Sequence, residues 1–317
     1  MKRILQTLKI LITSIGLLVV LAIILFGYRD IALDELKSKY AQEPSAFLEI
    51  NGMDVHYRDQ GESKDSIPIL LLHGTGSSLH TFEDWAEELK KEHRIIRIDL
   101  PGYGLTGPFP EADYSMEAYV NFLKDFLKEL EIEKCIIGGN SLGGKISWRF
   151  SLAYPEKVSK LILINSAGYP YDSEREPLVF KVAKTPVVKE IVKFLTPKFI
   201  VRSSIESVYA DKSKVTDELI DRYLELTLRE GNRQAFIDKF KTKNDWEAYK
   251  EISSIEKPTL ILWGDQDQLI PVSNAERFHR DLPNDTLVIL ENSGHVPMEE
   301  SPEQSLVAVK AFLTDFK

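Results

Sequence analysis

The first residues of the chain form one long apolar stretch. Ile10–Phe26 contains no charged residue, and the stretch extends back to Ile4 with three polar interruptions. As a helix it covers roughly 25 to 34 Å, which matches a hydrocarbon core of about 30 Å. A cleavable signal peptide is the competing interpretation, but the run is long for one and no small-residue cleavage site follows at 26–30. We therefore expect an uncleaved transmembrane signal anchor over residues 1–27.

The charges around this stretch predict its orientation. Lys2, Arg3 and Lys9 lie before the apolar core, whereas Arg29 after it is offset by Asp30. Because positive charge is retained on the cytoplasmic side, the N-terminus is expected in the cytoplasm. The chain would be a single-pass membrane protein with the rest of its residues outside the cytoplasm.

After the apolar stretch, the pattern changes to short runs that are typical of strands. Residues 28–45 are polar and charged, and we expect a tether that is not part of the fold core. Phe47–Ile50 and Met53–Tyr57 then flank Asn51-Gly52, which is the strongest short signal for a β-hairpin. Two antiparallel strands should therefore open the folded part.

Beyond the hairpin, predicted strands alternate with predicted helices. Leu161–Ile164 is apolar throughout, which indicates a strand buried on both faces of a parallel sheet. The predicted elements are strand Ile67–Leu72, helix Thr81–Leu89, strand Arg94–Asp99, helix Ser115–Leu130, strand Lys134–Gly138, helix Leu142–Ala153, strand Leu161–Ile164, strand Thr259–Trp263, helix Val272–Arg280, strand Thr286–Leu290 and helix Pro302–Phe316. With the hairpin, this predicts an α/β fold whose eight-stranded sheet is mostly parallel, with helices on both faces.

The alternation stops in one long segment. Residues 169–256 read as several helices interrupted by prolines, so the α/β core is predicted in two parts, 46–168 and 257–317. An insertion of this size between two strands most often covers the carboxyl edge of the sheet, where ligands bind. We expect 169–256 to be a helical cap, or lid, over that edge.

Charge and composition exclude several classes of function. The formal net charge of −9 over 317 residues, without a basic stripe, argues against a nucleic-acid partner. Cys135, in an apolar strand, is the single cysteine of the sequence. No disulfide can therefore form within the chain. No metal-binding spacing and no phosphate-binding loop occur in the sequence, so we expect no metal and no cofactor.

The most informative motif is Gly139–Gly143, which follows a predicted strand and precedes a predicted helix. Its central residue, Ser141, lies between two glycines, as in the sharp strand-to-helix turn called a nucleophile elbow. The turn holds the serine backbone in a strained conformation, and the glycines leave room for neighbouring backbone. Ser141 is therefore the candidate nucleophile.

A serine hydroxyl needs a general base, and the histidines of the chain are the candidates. His295 follows the last predicted strand directly, which places it at the same edge of the sheet as Ser141. His80 could also line a pocket there, but it precedes the nucleophile in the chain and is less favoured. We expect the remaining candidates considered, His56, His93 and His279, to lie at the surface.

The acid that orients the base should come from another strand end on this edge. Asp265 and Asp267 both follow the strand Thr259–Trp263. Asp267 is favoured, because it lies deeper in the loop before an apolar pair and a proline, whereas Asp265 follows a glycine and suits the turn itself. The preceding strand ends in Asn165, which is not a carboxylate.

An acyl-transfer site also needs two backbone N–H groups for the oxyanion. Leu142, directly after the candidate nucleophile, is predicted to supply one, and Thr75, in the glycine-rich loop after the third strand, the other. Their neighbours Gly74 and Asn140 are expected to contact substrate.

The set Ser141, Asp267 and His295, in this chain order, resembles the α/β-hydrolase superfamily. The resemblance covers about residues 45 to 317 and rests on these matching pieces: His73–Gly76, Asp99–Gly104, Gly139–Gly144, Trp263–Asp267 with Ile270-Pro271, and Gly294-His295. It implies the fold of that superfamily, a cap over the substrate pocket and Asp267 as the acid.

The resemblance also limits the types of reaction that the chain is expected to catalyse. A serine nucleophile argues against haloalkane dehalogenases and epoxide hydrolases, which use aspartate there. Asn140-Ser141 followed by a double glycine looks like the elbow of meta-cleavage-product hydrolases, which cut carbon–carbon bonds. The chain departs from them at Val296-Pro297, where they tend to have an aromatic residue. Cofactor-free haloperoxidase or perhydrolase activity uses the same triad and stays open.

The preferred interpretation is a membrane-anchored serine hydrolase acting on a carboxylic ester. Its partner would be a small-molecule ester, and the predicted anchor makes a hydrophobic or lipid ester plausible. The competing interpretation from another class is a non-catalytic α/β-hydrolase-fold protein that binds a ligand at the cap.

Overall fold

The computed structural model describes residues 2–61, 67–170, 185, 195–242, 245 and 247–314. Its first element is the 25-residue helix α1, Lys2–Phe26. Among the described residues, one helix is apolar enough over a sufficient length to cross a membrane, and it is this one, over Arg3–Leu25. That α1 anchors the chain stays a prediction.

The remaining described elements follow the predicted order closely. The strands are β1 (Ser45–Ile50), β2 (Met53–Gln60), β3 (Ile69–Leu72), β4 (Ile95–Ile98), β5 (Cys135–Asn140), β6 (Val158–Ile164), β7 (Thr259–Gly264) and β8 (Asp285–Leu290). The helices are α2 (Leu33–Tyr40), α3 (Glu83–Leu89), α4 (Met116–Glu129), α5 (Leu142–Ala153), α6 (Lys198–Glu206), α7 (Asp217–Thr227), α8 (Asn232–Lys239), α9 (Ser273–Asp281), α10 (Pro297–Glu300) and α11 (Pro302–Thr314). Short 3-10 turns lie at Leu79–Phe82, Pro155–Lys157, Lys212–Lys214 and Ala248–Ser254.

The eight strands form one sheet in the order β1-β2-β4-β3-β5-β6-β7-β8. Strand β2 pairs antiparallel with both β1 and β4, and the other neighbours are parallel. The hairpin turn at Asn51-Gly52 has positive φ at both residues, +50° and +80°, as this two-residue connection requires. The predicted α/β fold with a mostly parallel eight-stranded sheet is confirmed.

The central strands are buried on both faces by helices, which explains their unbroken apolar sequences. Every residue of β3, β5 and β7 is buried, and α4 turns its apolar face, including Tyr119, Leu123 and Phe126, onto the sheet. The Ser115 side chain caps the start of α4 by accepting a hydrogen bond from the Ala118 N–H. The parallel strands therefore deliver the loops that follow β3, β5, β7 and β8 to one edge.

The segment between α1 and the sheet differs from the expected tether. Residues 33–40 form α2, and Leu36 and Tyr40 are buried in a cluster with Leu105 and Leu226. The sequence pattern misses this helix because it is short and polar on most of its surface, and its two buried side chains meet partners far along the chain. Residues 28–45 are thus a packed segment rather than a tether.

The predicted insertion at 169–256 contains α6, α7 and α8, with contacts between α6 and α7 and between α7 and α8. Residues 171–184, 186–194, 243, 244 and 246 of this segment lie outside the described residues, as do residues 315 and 316 at the end of the final predicted helix. The division of the chain into core and cap stays a prediction.

Candidate active site

Ser141 lies at the sharp turn between β5 and α5. Its backbone has φ +53° and ψ −109°, a strained conformation for a residue with a side chain. A Cβ at Gly143 would lie 2.1 Å from the Leu72 carbonyl oxygen, so only glycine fits where the turn approaches β3. The sequence therefore folds locally into the predicted elbow, with Ser141 at its apex.

Asp267 and His295 form a close pair at the same edge. The Asp267 Oδ2 atom lies 2.7 Å from His295 Nδ1, and both residues are buried. The Asp267 Oδ1 atom accepts hydrogen bonds from the backbone N–H groups of Leu269 at 2.8 Å and Ile270 at 2.9 Å. These contacts hold the carboxylate so that it can orient the imidazole.

Asn165 is part of this arrangement, although in the sequence it stood out only as a strand-end residue that is not a carboxylate. Its side-chain amide donates a hydrogen bond to Asp267 Oδ2 at 2.7 Å, from the end of β6. Asp265, the alternative acid, is exposed and accepts a long hydrogen bond from the Ser293 N–H, at 3.4 Å. Of the two aspartates, Asp267 is the one that meets the imidazole.

The loop that carries His295 is tied to the segment before α7. The His295 N–H donates to the Val208 carbonyl at 2.7 Å. Glu300, at the end of α10, accepts from the N–H groups of Gly294 and Asp211, each at 2.7 Å. Glu300 is buried, yet nothing in the sequence distinguishes it from its neighbour Glu299. The position of the imidazole is thus coupled to the segment between β6 and β7.

A cavity of about 620 Å³ opens beside these groups. Ser141 and His295 both line it, and so do Thr75 and Leu142, the predicted oxyanion residues. Most of its other lining comes from the segment between β6 and β7, including apolar side chains such as Ile200. The geometry therefore brings the candidate nucleophile, the candidate base and the two predicted oxyanion residues to one cavity.

The two residues predicted to contact substrate have distinct surroundings. A Cβ at Gly74 would lie 2.7 Å from Asn140 Oδ1, so glycine lets the loop approach the elbow closely. Asn140 is buried and its side-chain amide donates to the carbonyls of Ile164 at 3.2 Å and His295 at 2.9 Å. Both residues line the cavity, and Asn140 also joins the elbow to the His295 loop. Their contact with substrate stays a prediction.

The expectation that His56 lies at the surface is wrong. His56 is fully buried, with Nδ1 2.7 Å from Asp99 Oδ2 and Nε2 2.9 Å from Ser45 Oγ. This repeats the hydrogen-bond pattern of a catalytic triad, but none of the three residues lines the cavity. Arg58 Nε also donates to the Ser45 hydroxyl, at 3.0 Å. The arrangement joins β1, β2 and the loop after β4.

His80 is not placed to act as the base. It is buried outside the cavity lining, and its Nδ1 lies 3.2 Å from Ser78 Oγ. Burial lowers the pKa of His80 to about 3, so the imidazole is neutral near pH 7. Of the histidines weighed as base, only His295 shares the cavity with Ser141.

Asp99 should matter for stability. Besides His56, its carboxylate accepts from the N–H groups of Leu79 at 2.7 Å and Leu105 at 2.8 Å. Burial raises its pKa, but the nearby His56 outweighs this and the net pKa lies well below the usual value. Asp99→Asn should lower the free energy of unfolding by about 3 to 5 kcal/mol, measured by denaturant titration, because buried donors lose an ionised acceptor.

Asp59→Asn is the matched control for this prediction. Asp59 pairs with Arg94 at 2.7 Å, and both side chains are partly exposed. Its substitution should cost less than about 1 kcal/mol. Equal effects of the two substitutions would contradict a stabilising role for the buried Asp99.

The comparisons with known proteins agree with this fold. A family model described as the alpha/beta hydrolase fold matches residues 67–302. The chain belongs to this family and is a hydrolase of that fold.

Three known proteins illustrate the range of its relatives. The chain is 30% identical to Lipase 1 of Psychrobacter immobilis over 256 residues, which cover 77% of this chain and 76% of the lipase. It is 26% identical to a membrane phospholipase A described as a bacterial virulence factor, with TM-score 0.72 over 99% of this chain and 98% of the other. It is 25% identical to a meta-cleavage product hydrolase of Pseudomonas fluorescens IP01, with TM-score 0.72 over 84% and 96% of the two chains.

Proposed function

We propose that this protein is a membrane-anchored serine hydrolase that cleaves carboxylic esters with apolar or lipid acyl groups. The observation that carries the proposal is the meeting of three groups at one cavity. Ser141 lies at a strained turn that lines the cavity, together with His295, whose Nδ1 is 2.7 Å from the Asp267 carboxylate. The similarity to Lipase 1 and to a membrane phospholipase A supports ester chemistry.

In the first step, Ser141 Oγ attacks the ester carbonyl carbon. His295 Nε2 takes the hydroxyl proton, and Asp267 stabilises the imidazolium through Nδ1. The carbonyl oxygen becomes an oxyanion, which the N–H groups of Thr75 and Leu142 bind. The bond between the carbonyl carbon and the alcohol oxygen then breaks, His295 returns the proton to the leaving alcohol, and an acyl-Ser141 ester remains.

In the second step, water resolves the acyl-enzyme. His295 removes a proton from the water, whose oxygen attacks the acyl carbon and again forms an oxyanion at Thr75 and Leu142. When the bond to Ser141 Oγ breaks, His295 gives the proton to that oxygen. The products are the carboxylic acid and the restored serine.

The helices between β6 and β7 suit a cap over this site. Residues from α6, α7 and α8 line the cavity opposite the sheet edge, and they add the apolar side chains Ile200, Val201 and Phe236. An acyl chain buried against such side chains gains roughly 0.8 kcal/mol for each methylene. We propose that 169–256 is the cap and that its cavity holds the acyl chain.

The anchor proposal rests on α1 and on its connection to α8. The residues that follow α1 are bonded to the cap: Arg233 Nη2 on α8 lies 2.6 Å from Asp30 Oδ1 and 2.9 Å from the Tyr28 carbonyl oxygen. The Ile31 carbonyl accepts from the Glu230 N–H at 3.0 Å. A bilayer around α1 would thus lie next to the cap, with the N-terminus in the cytoplasm and the catalytic part outside it.

Ester hydrolysis should favour long acyl chains. We expect kcat/KM for p-nitrophenyl octanoate to exceed that for the acetate by at least about tenfold, because the cavity buries the added methylenes. The measurement is a series of esters of rising chain length, run beside a vinylogous diketone.

The vinylogous diketone tests the alternative function, which is hydrolysis of a carbon–carbon bond. The similarity to the meta-cleavage product hydrolase favours this alternative. Turnover of the diketone without turnover of any ester would contradict ester chemistry. Equal rates on acetate and octanoate would contradict the lipid part of the proposal alone.

A further inference from the structure

Lys239 is a lysine at the proposed active site that has no acidic partner among the described residues. It ends α8 and lines the cavity, where Nζ donates to Thr75 Oγ1 at 2.8 Å and lies 3.1 Å from Tyr103 OH. Both acceptors are neutral, and no described carboxylate lies within ion-pair distance of Nζ. Burial and the nearby Lys145 lower the pKa of Lys239 to about 7.

Lys145 brings a second ammonium group to the same cavity. It lies in the first turn of α5, where its N–H donates to the Ser141 carbonyl at 3.0 Å. Burial lowers its pKa, and Asp245 opposes this effect from nearby. Asp245 is itself paired with Arg149, whose Nη1 lies 3.0 Å from Oδ2. Among the described residues, Lys145 has no ion pair either.

The protonated forms of two lysines in one largely apolar cavity are costly, which is why the pKa of each side chain is lowered. Both side chains are half-buried in the cavity wall, where a charge loses part of its hydration and two like charges repel each other. Lys239 Nζ meets only neutral groups among the described residues, namely the Thr75 and Tyr103 hydroxyls and, at 5.6 Å, the centre of the Tyr103 ring, so no described carboxylate offsets these charges. An anionic oxygen group bound between them would satisfy both charges, and charge-assisted hydrogen bonds are the stronger ones.

We propose that Lys239 and Lys145 bind an anionic group, a phosphate or a carboxylate, that is carried by the ester substrate. This inference rests on the proposed function, because it concerns the same cavity. The site would hold the anionic group one helical turn from Ser141 and beside Thr75. Lys239 and Lys145 would then determine which esters are cleaved, while the acyl chain takes the apolar part of the cavity.

The test compares neutral and anionic esters of matched shape. The carboxylate pair is p-nitrophenyl pentanoate against the p-nitrophenyl half-ester of glutaric acid. The phosphate pair is monooleoylglycerol against oleoyl lysophosphatidic acid. We expect the full-length wild-type protein to favour the anionic member of one pair by about 10 to 100-fold in kcat/KM. The pair that shows the preference identifies the group.

Substitutions of the two lysines distinguish recognition of the anionic group from positioning of Thr75. Lys239→Met and Lys145→Met should each lower the ratio of kcat/KM for the anionic ester to that for the neutral ester by about tenfold or more, mainly through KM. Lys239→Arg should retain part of the preference. The exposed cap residue Lys212 provides the control, since Lys212→Met should leave the ratio unchanged.

Three results would overturn the inference. Wild-type protein that hydrolyses neutral esters but prefers neither anionic substrate contradicts it and leaves the proposed function standing. An equal loss on both members of a pair in Lys239→Met means that Lys239 only positions Thr75. Wild-type protein that hydrolyses no ester and is not labelled by a fluorophosphonate contradicts the proposed function and, with it, this inference.

Discussion

Replacing Ser141 with alanine is expected to abolish labelling by a fluorophosphonate probe and to lower kcat for ester hydrolysis by roughly 10⁶-fold. The probe reacts with a serine hydroxyl whose proton a nearby base accepts, and Ser141 shares its cavity with His295. The measurements are probe fluorescence on the denatured protein and steady-state kinetics on the best ester. The substitution removes one oxygen atom from a half-buried residue that lines the cavity, so the fold should be retained.

Ser45→Ala is the matched control. The Ser45 hydroxyl lies 2.9 Å from His56 Nε2, and His56 Nδ1 lies 2.7 Å from Asp99, so a serine, a histidine and an aspartate are hydrogen-bonded in a row. Ser45 does not line the cavity, and its hydroxyl also accepts a hydrogen bond from Arg58 Nε at 3.0 Å. Labelling and activity should therefore survive in Ser45→Ala.

The outcomes of this experiment separate the classes of function. An unlabelled and inactive wild-type protein would favour a non-catalytic protein that binds a ligand at the cap. Labelling that persists in Ser141→Ala would mean that another residue is the nucleophile. Labelling that disappears only in Ser45→Ala would assign the chemistry to the His56 arrangement.

The second large effect is expected for Asp267→Asn, which should lower kcat by about 10⁴-fold. The carboxylate accepts the Nδ1–H of His295 at 2.7 Å, which leaves Nε2 free to take the serine proton. An asparagine amide in this position donates toward Nδ1 and favours the wrong tautomer of the imidazole. Kinetics on the same ester measure the loss.

The Asp267→Asn variant keeps the contacts of Oδ1, whereas Asn165, which donates to Oδ2 at 2.7 Å, loses its acceptor together with His295. The N–H groups of Leu269 and Ile270 bind Oδ1, and an asparagine oxygen can accept both bonds. The exposed Asp265→Asn serves as the control and should keep nearly full activity. An Asp267→Asn variant with wild-type activity, or a large loss in Asp265→Asn alone, would move the acid to Asp265.

The two histidine–carboxylate pairs show what a sequence can and cannot reveal. Both pairs have an Nδ1–Oδ2 distance of 2.7 Å, in His295–Asp267 and in His56–Asp99. The sequence singled out the first pair because both residues follow strands directly, at the edge where the elbow lies. It offered no such signal for His56, which lies inside β2 and faces the loop after β4.

The sequence by itself determined the eight-stranded sheet, the opening hairpin and the turn at Ser141. These features depend on local rules: apolar runs bury strands, Asn51-Gly52 accepts positive φ, and the glycines around Ser141 admit close backbone. Neighbouring residues set each of them, so a linear pattern suffices. The candidate residues Ser141, Asp267 and His295 could also be recognised from local sequence, because each of them follows a predicted strand.

Only the tertiary structure decided which distant side chains meet. Asn165 reaches Asp267 across the sheet edge, Glu300 links the His295 loop to Asp211, and Lys239 extends from α8 to Thr75. Residues 28–45 are likewise a packed segment because Leu36 meets Leu226 far along the chain. Such contacts depend on the order of the strands and the packing of the segment between β6 and β7. No local pattern encodes that packing, since each side chain gains its partner only when the whole chain has folded.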